Sequence, residues 1–161
     1  MQEASTRPSP ATFQSAQGCS AAQRVIDAPA AMHALQAAVH HADTLGVRVN
    51  VSVVDAAGLP VAFARMAGAP LHSIDIATDK AYTAASFGLP TCSWSSAFAA
   101  HSEAVKTGLL QRPRFVAFGG GLPIEEHGAR IGAIGVSGGS EAQDEAIAKA
   151  GLDSLGLVSA A

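Results

Sequence analysis

The chain has 161 residues, of which 48% are hydrophobic and only 14% charged, and its net charge is −3. That length suits one domain around a single core, and the acidic balance speaks against a binder of nucleic-acid backbones. No apolar run approaches the ~20 residues that span a bilayer. The two cysteines, Cys19 and Cys92, form neither a disulfide framework nor a metal-ligand spacing. So few charges predict that part of the surface is hidden in a homo-oligomer.

Residues 1–26 are rich in Ser, Ala, Gln and Pro and lack the apolar middle of a secretory signal. They are expected to be a flexible leader on a cytoplasmic protein, with residues 27–161 forming the domain. Asp27, with Pro29 two residues on, predicts a capped helix start. Met32, Leu35, Val39, Ala42 and Leu45 recur at three- and four-residue steps and predict one buried stripe, ended by Gly46. Val47, Val49, Val51 and Val53 alternate with Arg48, Asn50 and Ser52, the pattern of a half-buried strand. A turn at Asp55-Ala56-Ala57-Gly58 returns the chain through a second strand, Leu59 to Met66.

Gly68-Ala69-Pro70 interrupts the pattern. Ser73 is placed to cap a second, alanine-rich helix that runs to about Phe87, and Thr91 to cap a third containing Trp94, Phe98 and Val105. Arg114–Phe118 and Arg130–Ser137 read as two further strands, linked through Gly119-Gly120-Gly121 and a turn at His127-Gly128. Ser140 and Gln143 have capping-box spacing and predict a last helix to about Leu155. Hairpins between strands favour an α/β (α+β) domain, a mostly antiparallel sheet flanked by helices.

Several segments together carry a resemblance: V-S-V-V-D-A-A-G-L-P-V-A-F-A-R-M-A-G-A-P, S-I-D-I-A-T-D-K-A-Y-T-A-A, R-F-V-A-F-G-G-G-L-P-I and A-R-I-G-A-I-G-V-S-G-G-S. In combination these resemble the GlcG/HbpS-like family, haem-binding or haem-degrading proteins that include the C-terminal domain of a class of cobalamin adenosyltransferases. The resemblance spans about Ala28 to Leu155. It implies a profilin-like fold with an antiparallel sheet of about five strands, homo-oligomers, and haem as a cofactor in some members. Two positions depart from the family pattern. Ala67 stands where an acidic residue is usual, and Tyr82 where arginine is frequent.

Three residue sets are candidates for chemistry. The resemblance implies a haem ligand from the first helix, which offers His33, His40 and His41, and neutral imidazole is a common axial ligand. A solvated polar helix face accounts for the same spacing. The second set is Arg65, His72, Asp75 and Lys80. Here a helix start and two cations would hold a small carboxylate while His72 moves protons, as in a cofactor-free hydrolase, dehalogenase or isomerase of aromatic-compound breakdown. Ordinary charge placement is the competing account. The third set is Gly119, Gly120, Gly121, Ser137 and Gly138, whose backbone N–H groups suit an anion. Tight turns and close packing explain them equally. No P-loop is present, and Ser73, Ser140 and Cys92 have no base at a recognisable spacing. A small-molecule ligand is expected, and the resemblance makes haem the leading choice.

Overall fold

A computed structural model describes residues 19–157. Residues 1–18 of the expected leader lie outside the described residues. By Ile26 the chain is tied to the domain. Ile26 is buried, its N–H donates to the Ile131 carbonyl at 2.8 Å, and Arg24 pairs with Glu126.

The first helix, α1 (Ala28–Thr44), starts as its sequence predicts: the Asp27 carboxylate accepts the Ala30 N–H at 2.9 Å, with Pro29 in the first turn. Its buried stripe differs from the one expected. Ala31, Ala34, Ala38 and Ala42 are fully buried, while Met32 and Leu45 are exposed and Leu35 and Val39 only partly covered. The reason is proximity to the last helix, α5 (Glu141–Asp153). A Cβ at Gly151 would lie 2.8 Å from the Ala34 carbonyl oxygen, so only small side chains fit the seam.

Four antiparallel strands form one sheet in the order β2-β1-β4-β3: β1 (Asn50–Asp55), β2 (Pro60–Arg65), β3 (Gly121–Glu126) and β4 (Ala129–Ser137). The described residues thus supply four strands rather than the five or so that the resemblance implied. The β1–β2 turn is as expected, with Asp55 Oδ1 accepting the N–H groups of Ala57 and Leu59, both at 2.9 Å. Strand β1 is not half-buried. Flanked on both sides and covered on both faces, it is buried throughout except at Asp55. Val51 and Val53 face the core under α1 and α5. Asn50, Ser52 and Val54 alternate onto the opposite face, where Val54 meets Ala81, Ala84 and Ala85 of α2 (Ser73–Phe87).

Helix α2 occupies its predicted span and ends at Gly88 in the left-handed conformation, φ 65°. Ser73 does not cap it. His72 holds the N-cap position in a helical conformation, and the Ile74 and Ile76 N–H groups donate to the backbone carbonyls of Leu71 and His72. Ser73 is buried instead. The helix lies very close to β4: a Cβ at Gly135 would run into the Ala77 carbonyl and the Ala81 nitrogen.

Two further expectations need correcting. Residues 114–118 are not a strand. Arg114 has a positive φ of 65°, and the Thr83 hydroxyl pins the segment to α2 by donating to the Arg114 carbonyl at 2.9 Å and accepting the Val116 N–H at 3.1 Å. The strand lies later, at β3, an edge position that tolerates Pro123. The single helix expected from Thr91 is broken into a 3-10 turn (Thr91–Ser93), a short α3 (Trp94–Ala97), a second 3-10 turn (Phe98–Ala100) and α4 (Glu103–Leu110), which Ser102 caps. Thr91 does not cap, because its hydroxyl accepts the Gly121 N–H at 2.9 Å. The capping box at Ser140 and Gln143 is present, and α5 ends at Asp153.

Candidate functional site

The described residues hold Lys80 and the glycine turns in one place, where α2, the start of β3 and the first turn of α5 meet. Lys80 is fully buried. Its ammonium donates to Asp144 Oδ2 and to the Val136 carbonyl, both at 2.8 Å, and lies 4.9 Å from the Phe118 ring centroid. The glycines make this route possible. A Cβ at Gly120 would sit 2.8 Å from Lys80 Nζ and 2.9 Å from Asp144 Cβ, and one at Gly121 would sit 2.6 Å from the Lys80 carbonyl oxygen.

Burial pushes the Lys80 ammonium below its ordinary pKa and the Asp144 carboxyl above its own, although each partner pulls the other back. Lys80 therefore does not stand beside Arg65 as a second hand for a substrate carboxylate: its charge is spent on Asp144.

The glycine N–H groups do meet anions, and the anions belong to this chain. Gly119 donates to Glu141 Oε1 at 2.7 Å, and Gly139 to Asp144 Oδ1 at 2.9 Å. The acidic first turn of α5 thus fills the cradle that the glycine turns form. Ser137 is buried on β4, in register with Asn50 and, one strand further, Arg65. That rung lies on the α2 face of the sheet. Beside it the Asn50 Nδ2 donates to the Pro70 carbonyl at 3.1 Å, while Asn50 Oδ1 and Ser52 Oγ are buried without a partner among the described residues. Arg65, His72 and Asp75 are exposed, whereas Lys80 is buried and paired with Asp144.

Cys92 is half-buried and donates to Glu145 Oε1 at 3.0 Å. Burial and the neighbouring carboxylate push its thiol up, which suits a packed residue and not a nucleophile. Trp94 and Phe98 join Phe87 and Phe115 in an aromatic cluster, with Trp94 edge-on to Phe87 at 4.8 Å and to Phe115 at 4.9 Å. Sequence reading missed Asp144, Glu141 and Glu145 as partners. The acidic first turn of α5 was visible, but its contacts lie more than 20 residues away in the chain, as Gly119 and Cys92 show.

His33 and His40 are exposed on the stripe of α1 opposite its alanines, and His41 is half-buried at the flank. The stripe fits a haem in one respect. Its imidazoles are accessible, and the exposed, apolar Met32 immediately precedes His33 in the chain. Seven residues separate the two histidines by ~10 Å along the axis, so a single iron takes one of them and not both. No cluster of three or more His, Cys, Asp or Glu side chains suited to a metal ion occurs among the described residues. No helix there is long and apolar enough to cross a membrane.

Comparison with known proteins agrees on kinship. A 15.0 kDa protein of Citrobacter freundii, from the dhaT-dhaS intergenic region, is 39% identical over 124 residues, covering 77% of this chain and 87% of that protein. The corrinoid adenosyltransferase PduO of the same organism is 34% identical over 122 residues, 76% of this chain but only 36% of the enzyme. The chain thus spans about a third of that enzyme's length. Among solved structures, a PduOC:haem complex superposes with a TM-score of 0.76 at 32% identity, over 83% of this chain and 97% of that one. Residues 26–153 match the family described as haem degrading protein HbpS-like, and the chain belongs to that HbpS-like family.

Proposed function

We propose that this protein binds haem, or a closely similar tetrapyrrole, through a histidine on the outward stripe of α1. The observation that supports this most is the accessibility of His33 and His40 on that stripe, in a fold shared with a protein solved as a haem complex. Bound haem would supply an iron centre able to exchange ligands or electrons. The chain's own part is to present a neutral imidazole, to cover some of the macrocycle with Met32 and the stems of neighbouring side chains, and to hold both in place on a helix locked against α5. A homo-oligomer belongs to this reading. Exposed Leu59, Phe63, Leu71 and Phe118 are apolar surface that a neighbouring copy would cover.

The test is a haem titration of the full chain, followed by absorbance. The wild type is expected to give a red-shifted Soret band, and one of His33→Ala and His40→Ala to weaken binding by about tenfold or more. An unshifted band in the wild type, or undiminished binding in a variant lacking His33, His40 and His41 together, overturns the reading.

A further inference from the structure

A groove on the solvent side of α2, lined by none of the glycines of the Lys80 cluster, has the chemistry of a ligand site. It encloses about 430 Å³ and is lined by Tyr82, Phe87, Leu109, Pro113 and Phe115, with Arg112 and Arg114 among them. That volume is within the range of small-molecule pockets, and an apolar lining with few polar groups is their usual make-up.

Two features distinguish it from an accidental crevice. The first is that Arg114 occupies the left-handed region, φ 65°, where a long side chain is uncommon. The strain is held in place by the two Thr83 hydroxyl bonds to Arg114 and Val116. The second is how the guanidinium is used. Its Cζ lies over the Tyr82 ring, 3.7 Å from the centroid, and its Nε donates to Asp79 Oδ1 at 2.8 Å. Both terminal amino groups are left without a hydrogen-bond partner among the described residues. Arg112 is exposed, and its guanidinium likewise makes no hydrogen bond or ion pair among them. Of these two cations only Arg114 meets a carboxylate, through Nε, and both line the groove beside aromatic rings.

We infer that this groove binds a small aromatic carboxylate, its ring against Phe87 and Phe115 and its anionic group on Arg114 and Arg112. The aromatic wall selects a flat apolar body, because ring contacts favour edge and offset geometries that aliphatic chains do not provide. The free amino groups of a pre-oriented arginine select a carboxylate through paired hydrogen bonds. This inference does not rest on the haem reading, since α1 contributes nothing to the groove.

The chain carries its own reporter. Its one tryptophan, Trp94, lies edge-on to both Phe87 and Phe115. The experiment titrates the full chain with phenylacetate, with phenylacetamide and with hexanoate, reading tryptophan fluorescence and thermal stability together. Saturable binding of phenylacetate is expected, with the amide and the aliphatic acid each weaker by about tenfold. Arg114→Asn, which keeps a residue tolerant of positive φ, and Arg112→Gln are each expected to weaken phenylacetate by a similar factor. Absence of a saturable signal for phenylacetate, or equal binding of acid and amide, overturns the proposal. So does an Arg114→Asn variant that changes the oligomeric state while its phenylacetate affinity stays at the wild-type value, because the groove is then a contact between copies. The haem titration repeated under saturating phenylacetate is expected to be unchanged.

Discussion

The two flanks of α2 teach different lessons about charge. On the flank that meets β3 and α5, every charged group described has an internal answer: Lys80 has Asp144 and a carbonyl, and the glycine N–H groups have Glu141 and Asp144. On the solvent flank, Arg114 pairs with Asp79 through Nε alone, Arg112 has no partner among the described residues, and both stand beside aromatic rings. In sequence the first region looks more functional than the second, since it is dense in glycine, lysine and acids. In space it is closed upon itself. A ligand site announces itself by unanswered polar groups next to room, and not by the density of unusual residues.

The sharpest way to break this contrast is Lys80→Met. Removing one member of a buried pair leaves Asp144 uncompensated and is expected to lower stability by about 3–5 kcal/mol in denaturant unfolding. Adding Asp144→Asn, which keeps an acceptor for the Gly139 N–H, is expected to recover more than half of that loss. If the double variant is no more stable than the single one, the pair is not the self-contained unit described. The pH dependence of the pair has a defined sign. Burial raises the Asp144 pKa above its ordinary 3.8, so its stabilising contribution is full below 3.8 and is lost as pH rises through the folded value. Burial lowers the Lys80 pKa below its ordinary 10.5, so its contribution is full above 10.5 and is lost as pH falls through the folded value. Relative to the double variant, the wild type is therefore expected to be least favoured near neutral pH.

A smaller effect sharpens the packing half of the comparison. Gly121→Ala places a methyl group 2.6 Å from the Lys80 carbonyl oxygen and 2.7 Å from Thr91 Cγ2. Because one of these is backbone, the helix must shift, and a loss of about 1–3 kcal/mol is expected by thermal or denaturant melting. A neutral outcome would mean that α2 is free to move off the sheet. The smallest effect concerns reactivity. With its pKa raised and its thiol donated to Glu145, Cys92 is expected to alkylate more slowly than exposed Cys19 when followed by mass spectrometry at pH 8. Faster modification of Cys92 would reopen the closed flank as a site of chemistry.

The sequence was legible wherever a local rule acts alone. The Asp27 cap, the Asp55–Gly58 turn, the span of α2 and the capping box of α5 all follow from neighbours within four residues. It misled where a distant partner outbids local preference. Arg-Phe-Val-Ala-Phe reads as a strand by propensity, yet Thr83 fixes Arg114 in a turn, and the true strand Gly121–Glu126 contains a proline and two glutamates. Serine and threonine were read as caps at positions 73 and 91, where tertiary packing buries both. On α1 the larger residues were expected inside, but the glycine of α5 admits a closer neighbour than leucine or methionine allows. For the site, the histidines and the glycine turns were visible as types. What each faces was not, because Lys80 and Asp144 are 64 positions apart and the groove is assembled from α2 and the segment after α4.

The strand order β2-β1-β4-β3 also shapes how this molecule comes into being. Strand β1, with its run of valines, has β2 available almost at once, but its other neighbour, β4, is synthesised only after the chain's long excursion through α2, α3, α4 and β3. During translation a nascent molecule therefore carries an unprotected, strongly apolar sheet margin for as long as that excursion takes, a template for mispairing with other nascent chains. Ribosome pausing or chaperone capture in that interval would bear more on yield in the cell than the stability of the finished domain does.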